Sequence, residues 1–221
     1  MSELDSRGRG RLVATAVPLA AALTLAALAA LVPASDRSEP GHGLHFHGRD
    51  VTAENWGAAS ALADASGRRI SLTDQKGKVV LLAFGYTHCP DACPTTLARL
   101  AEVRRLLGPD ARQVQVMFVT VDPERDTAQL LTHYVTAFDP TFIGLRGTEA
   151  ETDALASAFH ADYRIMHYQG EILVEHTVEI YLIDAEGRAR VVLPHILTAA
   201  QIADDVRSVL AGSRTCWPWS S

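Results

Sequence analysis

The spacing of apolar and polar positions changes several times along this chain, and each change marks an element. From Leu12 to Ser35 there is no charged residue at all, a run long enough to cross a bilayer as a helix. Arg7, Arg9 and Arg11 stand just before it, which places residues 1–11 on the cytoplasmic side and the rest of the chain outside. A cleaved secretory signal has a shorter apolar stretch and a small-residue cleavage site, for which Ala27-Leu28-Ala29 is available. The length favours an uncleaved anchor over residues 12–35. Residues 36–48 are rich in Pro, Gly, Ser and charge and read as a linker. It carries His42, His45 and His47, of which the last two would face one side of an extended strand and could hold a metal transiently; a solvated polar linker is the simpler and favoured account of them.

Beyond residue 48 the pattern is that of one α/β domain ending near residue 212, followed by a tail over 213–221. Ala59 to Leu72 reads as two short strands around Asp64-Ala65-Ser66-Gly67, an N-terminal β-hairpin. Val79 to Phe84 is apolar without interruption, the mark of a central strand covered on both faces. Thr95 to Leu107 is apolar at helical spacing and stops at Gly108-Pro109. Val114 to Val121 is a second strand, Leu130 to Phe138 a second helix, Phe142 to Leu145 a short strand and Glu149 to His160 a third helix. Residues 161–175 show no period and read as irregular. His176 to Asp184 and Ala189 to Leu193 then form a hairpin around Ala185-Glu186-Gly187-Arg188. Thr198 and Gln201 make a capping box for a last helix ending at Gly212. Strand, helix, strand, helix, hairpin and helix is the order of a thioredoxin-like three-layer domain with a mixed central sheet. In such sheets the ligand site lies beyond the carboxyl ends of the parallel strands.

Composition narrows the function. Of 221 residues 48% are apolar and the net charge is -6, so the domain builds a core without staples and has no basic stripe suited to nucleic acid. Three cysteines are too few for a disulfide framework. Two of them, Cys89 and Cys93, stand in Gly85-Tyr86-Thr87-His88-Cys89-Pro90-Asp91-Ala92-Cys93-Pro94, between the first long strand and its helix. Pro94 suits the first helical position, which puts Cys93 near the N-cap and Cys89 in the loop above it. The helix dipole then favours thiolates, acidic enough to yield their protons to a metal.

Two thiolates suit Cu(I) or zinc. A structural zinc site needs four ligands and there is no second cysteine pair, whereas soft thiolates select Cu(I). One imidazole would complete a trigonal site. Among nine histidines, His88 abuts Cys89 but points along the backbone, His133 and His160 fall in helices, and His195 follows Pro194. His167 remains open. His176 is the best candidate, because it begins the strand that lies beside the cysteine turn in a thioredoxin-like domain. Asp126, before a helix, reads as an N-cap. Asp122, at a strand's carboxyl end, would shape the site or a docking surface.

These pieces together resemble the SCO/SenC family of copper-binding, thioredoxin-like proteins. They are the ten residues Gly85 to Pro94, the stretch Val121-Asp122-Pro123-Glu124-Arg125-Asp126-Thr127, and Glu175-His176-Thr177 with Tyr181-Leu182-Ile183-Asp184. The likeness runs from about Phe46 to Leu210. It departs from the family at Glu175, where Asp is usual, and in the histidine linker and the tail with Cys216-Trp217-Pro218-Trp219. The resemblance implies copper as the bound ion, Cys89, Cys93 and His176 as its ligands, and a role in assembling the dinuclear copper site of cytochrome c oxidase. It also implies the copper-bearing oxidase subunit as acceptor, a periplasmic copper donor, and a single-pass location in the cytoplasmic membrane with the domain in the periplasm. A second function is open: a membrane-anchored thiol–disulfide oxidoreductase that keeps an acceptor's cysteines reduced. Helical residues four apart hold their Cβ atoms ~5–6 Å apart, too far for a disulfide, which needs ~3.5–4.5 Å. The pair oxidises only if Cys89, in the loop, moves.

Overall fold

The structure is a computed structural model and describes residues 45–54, 56–57 and 61–215. The apolar span over 12–35, the linker with His42 and the tail with Cys216 lie outside the described residues. Among those that are described, no helix is long and apolar enough to cross a membrane.

The uninterrupted apolar run forms strand β4, Val79–Gly85, and every one of its residues is buried. It lies at the middle of a six-stranded sheet with the order β1-β10-β9-β4-β5-β6, whose other strands are β1 (Arg49–Asp50), β5 (Val114–Thr120), β6 (Ile143–Leu145), β9 (Ile180–Ile183) and β10 (Ala189–Leu193). β5 runs parallel to β4 and β6 parallel to β5, while β9 is antiparallel to β4 and β10 antiparallel to β9. The sheet is therefore mixed, as the element order implied. Both of its edges are short, two residues in β1 and three in β6. Outside it, β2 (Ala61–Ala63) and β3 (Arg69–Ser71) form the N-terminal hairpin.

Among the described residues four helices flank the sheet: α1 (Ala92–Leu107), α2 (Ala128–Thr136), α3 (Glu149–Ala158) and α4 (Ala199–Thr215). α1 packs on α4, and α4 rests on β4 and β10. Leu97, Leu100, Val103 and Leu107 of α1 and Ile202, Val206, Val209 and Leu210 of α4 all enter one core with β4 and β5. Burial of apolar area on this scale, at about 25 cal/mol per Å², is what offsets the entropy of ordering the chain.

Five expectations need correction. Residues 161–175 are not irregular: β7 (Tyr163–Tyr168) and β8 (Glu171–His176) make a separate antiparallel hairpin. Its turn places Gln169 at φ 51° and Gly170 at φ 85°, a left-handed pair that glycine accepts freely and glutamine does not advertise. His176 accordingly ends β8, and three residues separate it from β9. Helix α1 starts at Ala92, with the Asp91 carbonyl accepting from Thr95 N at 3.1 Å, so Cys93 lies inside the first turn and Pro94 is the third helical residue. The first four N–H groups of a helix have no intrahelical acceptor, so proline fits there too. The linker does not run free to residue 48, because His47 N and Gly48 N donate to the buried Asp205 carboxylate of α4 at 2.8 and 2.9 Å. Finally, α4 continues through Gly212 to Thr215, since one glycine in a last turn costs only ~1 kcal/mol.

Candidate metal centre

The parallel strands deliver their ends to one place. β4 stops at Gly85 and β5 at Thr120, and the two loops that follow carry Cys89 and Asp126. Asp126 is fully buried and is not an N-cap. Its carboxylate accepts from Thr87 N at 2.9 Å, Thr87 Oγ1 at 2.5 Å and Thr120 Oγ1 at 2.6 Å. The cap of α2 is the next residue, Thr127, which accepts from Leu130 N at 3.2 Å. Asp126 thus ties the loop bearing the first cysteine to the end of β5. His88 turns the same way, its Nδ1 lying 3.1 Å from Thr87 Oγ1 and 3.5 Å from Asp126 Oδ1, and it groups with Asp122 and Asp126 and not with the two sulfurs.

Cys89, Cys93 and His176 converge. One ligand atom from each lies within 4.8 Å of the other two. Cys93 Sγ is 3.3 Å from His176 Nε2, and Cys93 N donates to Cys89 Sγ at 3.4 Å. The other imidazole nitrogen, Nδ1, is 2.7 Å from the Thr177 carbonyl. A carbonyl can only accept, so Nδ1 carries the proton and Nε2 keeps its lone pair toward the sulfurs. Burial holds the His176 pKa below the usual imidazole range, against the pull of that hydrogen bond. The ring is neutral at pH 7 and ready to donate to an ion.

The thiols do not behave as the helix dipole alone suggested. Cys93 is only 2% exposed. Burial pushes its thiol far above the ordinary range, and charge on Cys89 or Asp126 adds to the rise. Desolvation outweighs the dipole here because the sulfur points into the core, not into the loop. Both cysteines are free, but only Cys89 reaches solvent. In the metal-free protein, a brief exposure to iodoacetamide followed by peptide mapping should find Cys89 modified at least ~100-fold faster than Cys93, since only thiolates react.

The packing behind the sulfurs is close. A Cβ added at Gly85 would lie 2.6 Å from Cys93 Sγ and 2.7 Å from the Phe118 ring, so only glycine lets the sulfur settle against β4. Tyr86, buried, sets its ring edge-on to His176 with centroids 5.7 Å apart, and burial raises its phenol pKa.

Of the other histidines, His167 is exposed on β7, His133 is exposed on α2, His160 stacks on Trp56 at 4.5 Å and His195 is exposed. His45 and His47 join no cluster of metal-binding groups among the described residues. A second group, His88 with Asp122 and Asp126, does come together, but Asp122 is ion-paired to Arg125 and Asp126 is filled by threonine donors. Sequence reasoning placed Asp122 near the site without a partner. It missed Tyr86, Arg125 and the anchoring work of Asp126, for which the only sequence signal was the recurrence of Thr87, Thr120 and Asp126 at the two strand ends.

The whole described domain has counterparts. The sequence profile of SCO1/SenC matches residues 49–211. The human protein named protein SCO2 homolog, mitochondrial, is 38% identical over 162 residues, covering 70% of this chain and 59% of its own length, so the match spans about three fifths of that relative. The solved structure of Bradyrhizobium japonicum ScoI with copper bound is 36% identical, with a TM-score of 0.64, and covers 70% of this chain and 99% of that one. Arabidopsis thaliana ScoI with copper bound gives 30% identity and a TM-score of 0.65 over 70% of this chain and 98% of that one. With the sheet order, the cysteine turn and the facing histidine on one side and these matches on the other, the chain belongs to the SCO1/SenC family.

Proposed function

We propose that this chain is a copper metallochaperone. It takes Cu(I), and also Cu(II), on Cys89, Cys93 and His176 and delivers it to the dinuclear copper site of cytochrome c oxidase during assembly. A helix over residues 12–35 would hold it in the cytoplasmic membrane as a single-pass protein with the domain in the periplasm, where a copper donor loads it and the copper-bearing oxidase subunit receives the ion.

The observation that carries this reading is the convergence of two sulfurs and one proton-free imidazole nitrogen within 4.8 Å. The set is soft and contains no carboxylate, so it favours Cu(I) over harder ions, and three donors suit an ion that tolerates low coordination numbers. Zinc would want a fourth ligand. The half-buried Cys89 and His176 leave one side of the set open to an acceptor, so thiolates from a partner can replace these ligands one at a time. The membership of the family and the copper-bound relatives support copper as the cargo. A single observation favours the oxidoreductase alternative: a solvent-reaching cysteine stands beside a buried one, the arrangement of an attacking and a resolving thiol. In that role the pair would pass two electrons and two protons to an acceptor disulfide and itself become a disulfide.

An anaerobic titration of the full-length chain in detergent with Cu(I), against a competing chelator, tests the proposal. One ion per chain is expected, bound more than ~100-fold more weakly after His176→Ala, since loss of a ligand exceeds the ~10–100-fold cost of losing a group that orients one. Affinity should rise with pH by about tenfold per unit for each proton displaced, since the Cys93 proton is held through neutral pH and must leave on binding. His176 adds no proton competition at pH 7, because its pKa is depressed. A chain that ignores copper while catalytically reducing disulfides would overturn the chaperone reading in favour of the alternative.

A further inference from the structure

The three candidate ligands sit on two separate bodies. Cys89 and Cys93 are fixed by β4, α1 and the Asp126 anchor. His176 is the last residue of β8, which pairs only with β7 and lies outside the six-stranded sheet. Hydrophobic packing holds this hairpin in part, through Tyr163 and Val174 against the core. Tyr163 Oη also donates to Asp153 of α3, and Asp162 and Thr177 bond to each other at the base of the hairpin; two further ties reach the free edge of β8. Tyr86 Oη donates to the Val174 carbonyl and Arg125 Nη1 to the Ile172 carbonyl, each at 3.5 Å.

Arg125 is built for this position. Its Nε donates to Asp122, a carboxylate only 1% exposed, and its guanidinium lies 5.8 Å from the centre of the Tyr86 ring. Tyr86 in turn meets His176 edge-on. An arginine in the loop five residues after the end of β5 would ordinarily extend into water. This side chain is instead folded inward and three-quarters buried, with Nη2 shut off from solvent and without a hydrogen-bond partner among the described residues. A planar guanidinium with fixed donors transmits position in a way that a flexible ammonium cannot.

We infer that Arg125, braced by Asp122, is a positioning residue: it holds the β7–β8 hairpin through the Ile172 carbonyl and, with Tyr86, sets His176 Nε2 over the two sulfurs. It touches neither sulfur nor ion and acts only through the histidine. The part of this inference that concerns copper rests on the proposed function; the part that concerns the hairpin does not.

Two measurements on the full-length chain test it, using Arg125→Lys, which keeps a cation beside Asp122, and Tyr86→Phe, which leaves the Asp122 pair untouched. The first is amide hydrogen exchange of the metal-free protein. Residues 163–176 should exchange about tenfold faster in Arg125→Lys, the worth of one charge-assisted hydrogen bond, and faster again when both substitutions are combined, while amides of β4 and β5 keep their rates. Unchanged exchange in the hairpin would overturn the inference, as would equal acceleration throughout the domain. The second is Cu(I) affinity by chelator competition. Arg125→Lys should weaken binding about tenfold, as loss of a group that orients a ligand does, and should cost nothing further in a His176→Ala background. If the two losses simply multiply, Arg125 does not act through the histidine. If His176→Ala itself leaves binding unchanged, it is the proposed ligand set that fails, and the exchange measurement alone decides the role of Arg125.

Discussion

Cys93→Ser is expected to reduce Cu(I) affinity by more than ~100-fold while leaving the domain folded. The lower bound follows from comparison: losing a group that merely orients a ligand costs about 10–100-fold, and losing the ligand itself must exceed that. The serine hydroxyl does not ionise in the accessible pH range and its oxygen is a hard donor, so a soft ion is left with Cys89 and His176 alone. The fold should tolerate the change because the smaller side chain meets no new contact against Gly85 and Phe118, and its oxygen inherits the neighbour His176 Nε2, 3.3 Å from the sulfur it replaces. Chelator competition and thermal unfolding, run on the same preparation, separate the two effects. Binding within tenfold of wild type would remove Cys93 from the ligand set.

The largest loss of stability is expected from Asp126→Ala, about 4 kcal/mol. Three donors converge on this carboxylate: Thr87 N, Thr87 Oγ1 and Thr120 Oγ1. Hydrogen bonds to a charged group are worth ~1.5–3 kcal/mol each, and a donor stranded in the interior costs ~1–3 kcal/mol. Relaxation of the loop toward water recovers part of the sum. The remainder is a large share of the ~5–15 kcal/mol that holds a domain together. Asp126→Asn keeps the shape and one acceptor oxygen, so it should cost roughly half as much. Denaturant unfolding of the metal-free protein measures both. A loss under ~1 kcal/mol for Asp126→Ala would mean that the cysteine loop is held by something else.

The site was legible in the sequence where its chemistry is local and hidden where it depends on burial. A Cys-x3-Cys turn between an all-apolar strand and a helical stripe announces itself, and His176 could be chosen because the element order implies which strand faces that turn. The histidine nevertheless closes a hairpin that the pattern does not reveal. β8 does alternate, with Ile172, Val174 and His176 half-buried and Leu173 and Glu175 exposed, but the face it buries is small and its turn carries Gln169 where Asn or Asp would be the familiar signal. Asp126 had the right type and position for an N-cap, and only the depth of the strand end shows that its partners are Thr87 and Thr120. The direction of the Cys93 thiol shift is hidden in the sequence for the same reason. A dipole can be read from a helix start, but desolvation depends on what the rest of the chain places around the sulfur.

The stub strands at both flanks of the main sheet have a consequence for how copies of this chain behave together. An exposed strand edge offers a row of unpaired amides and carbonyls onto which another molecule can zip. Here β1 contributes two residues and β6 three, too few to template a growing cross-β ladder. The hazard moves to the β7–β8 hairpin, which shows water its Ile165, Tyr168 and Leu173 side chains, so any fibril-forming tendency of the protein should begin there and not at the sheet that frames the cysteines.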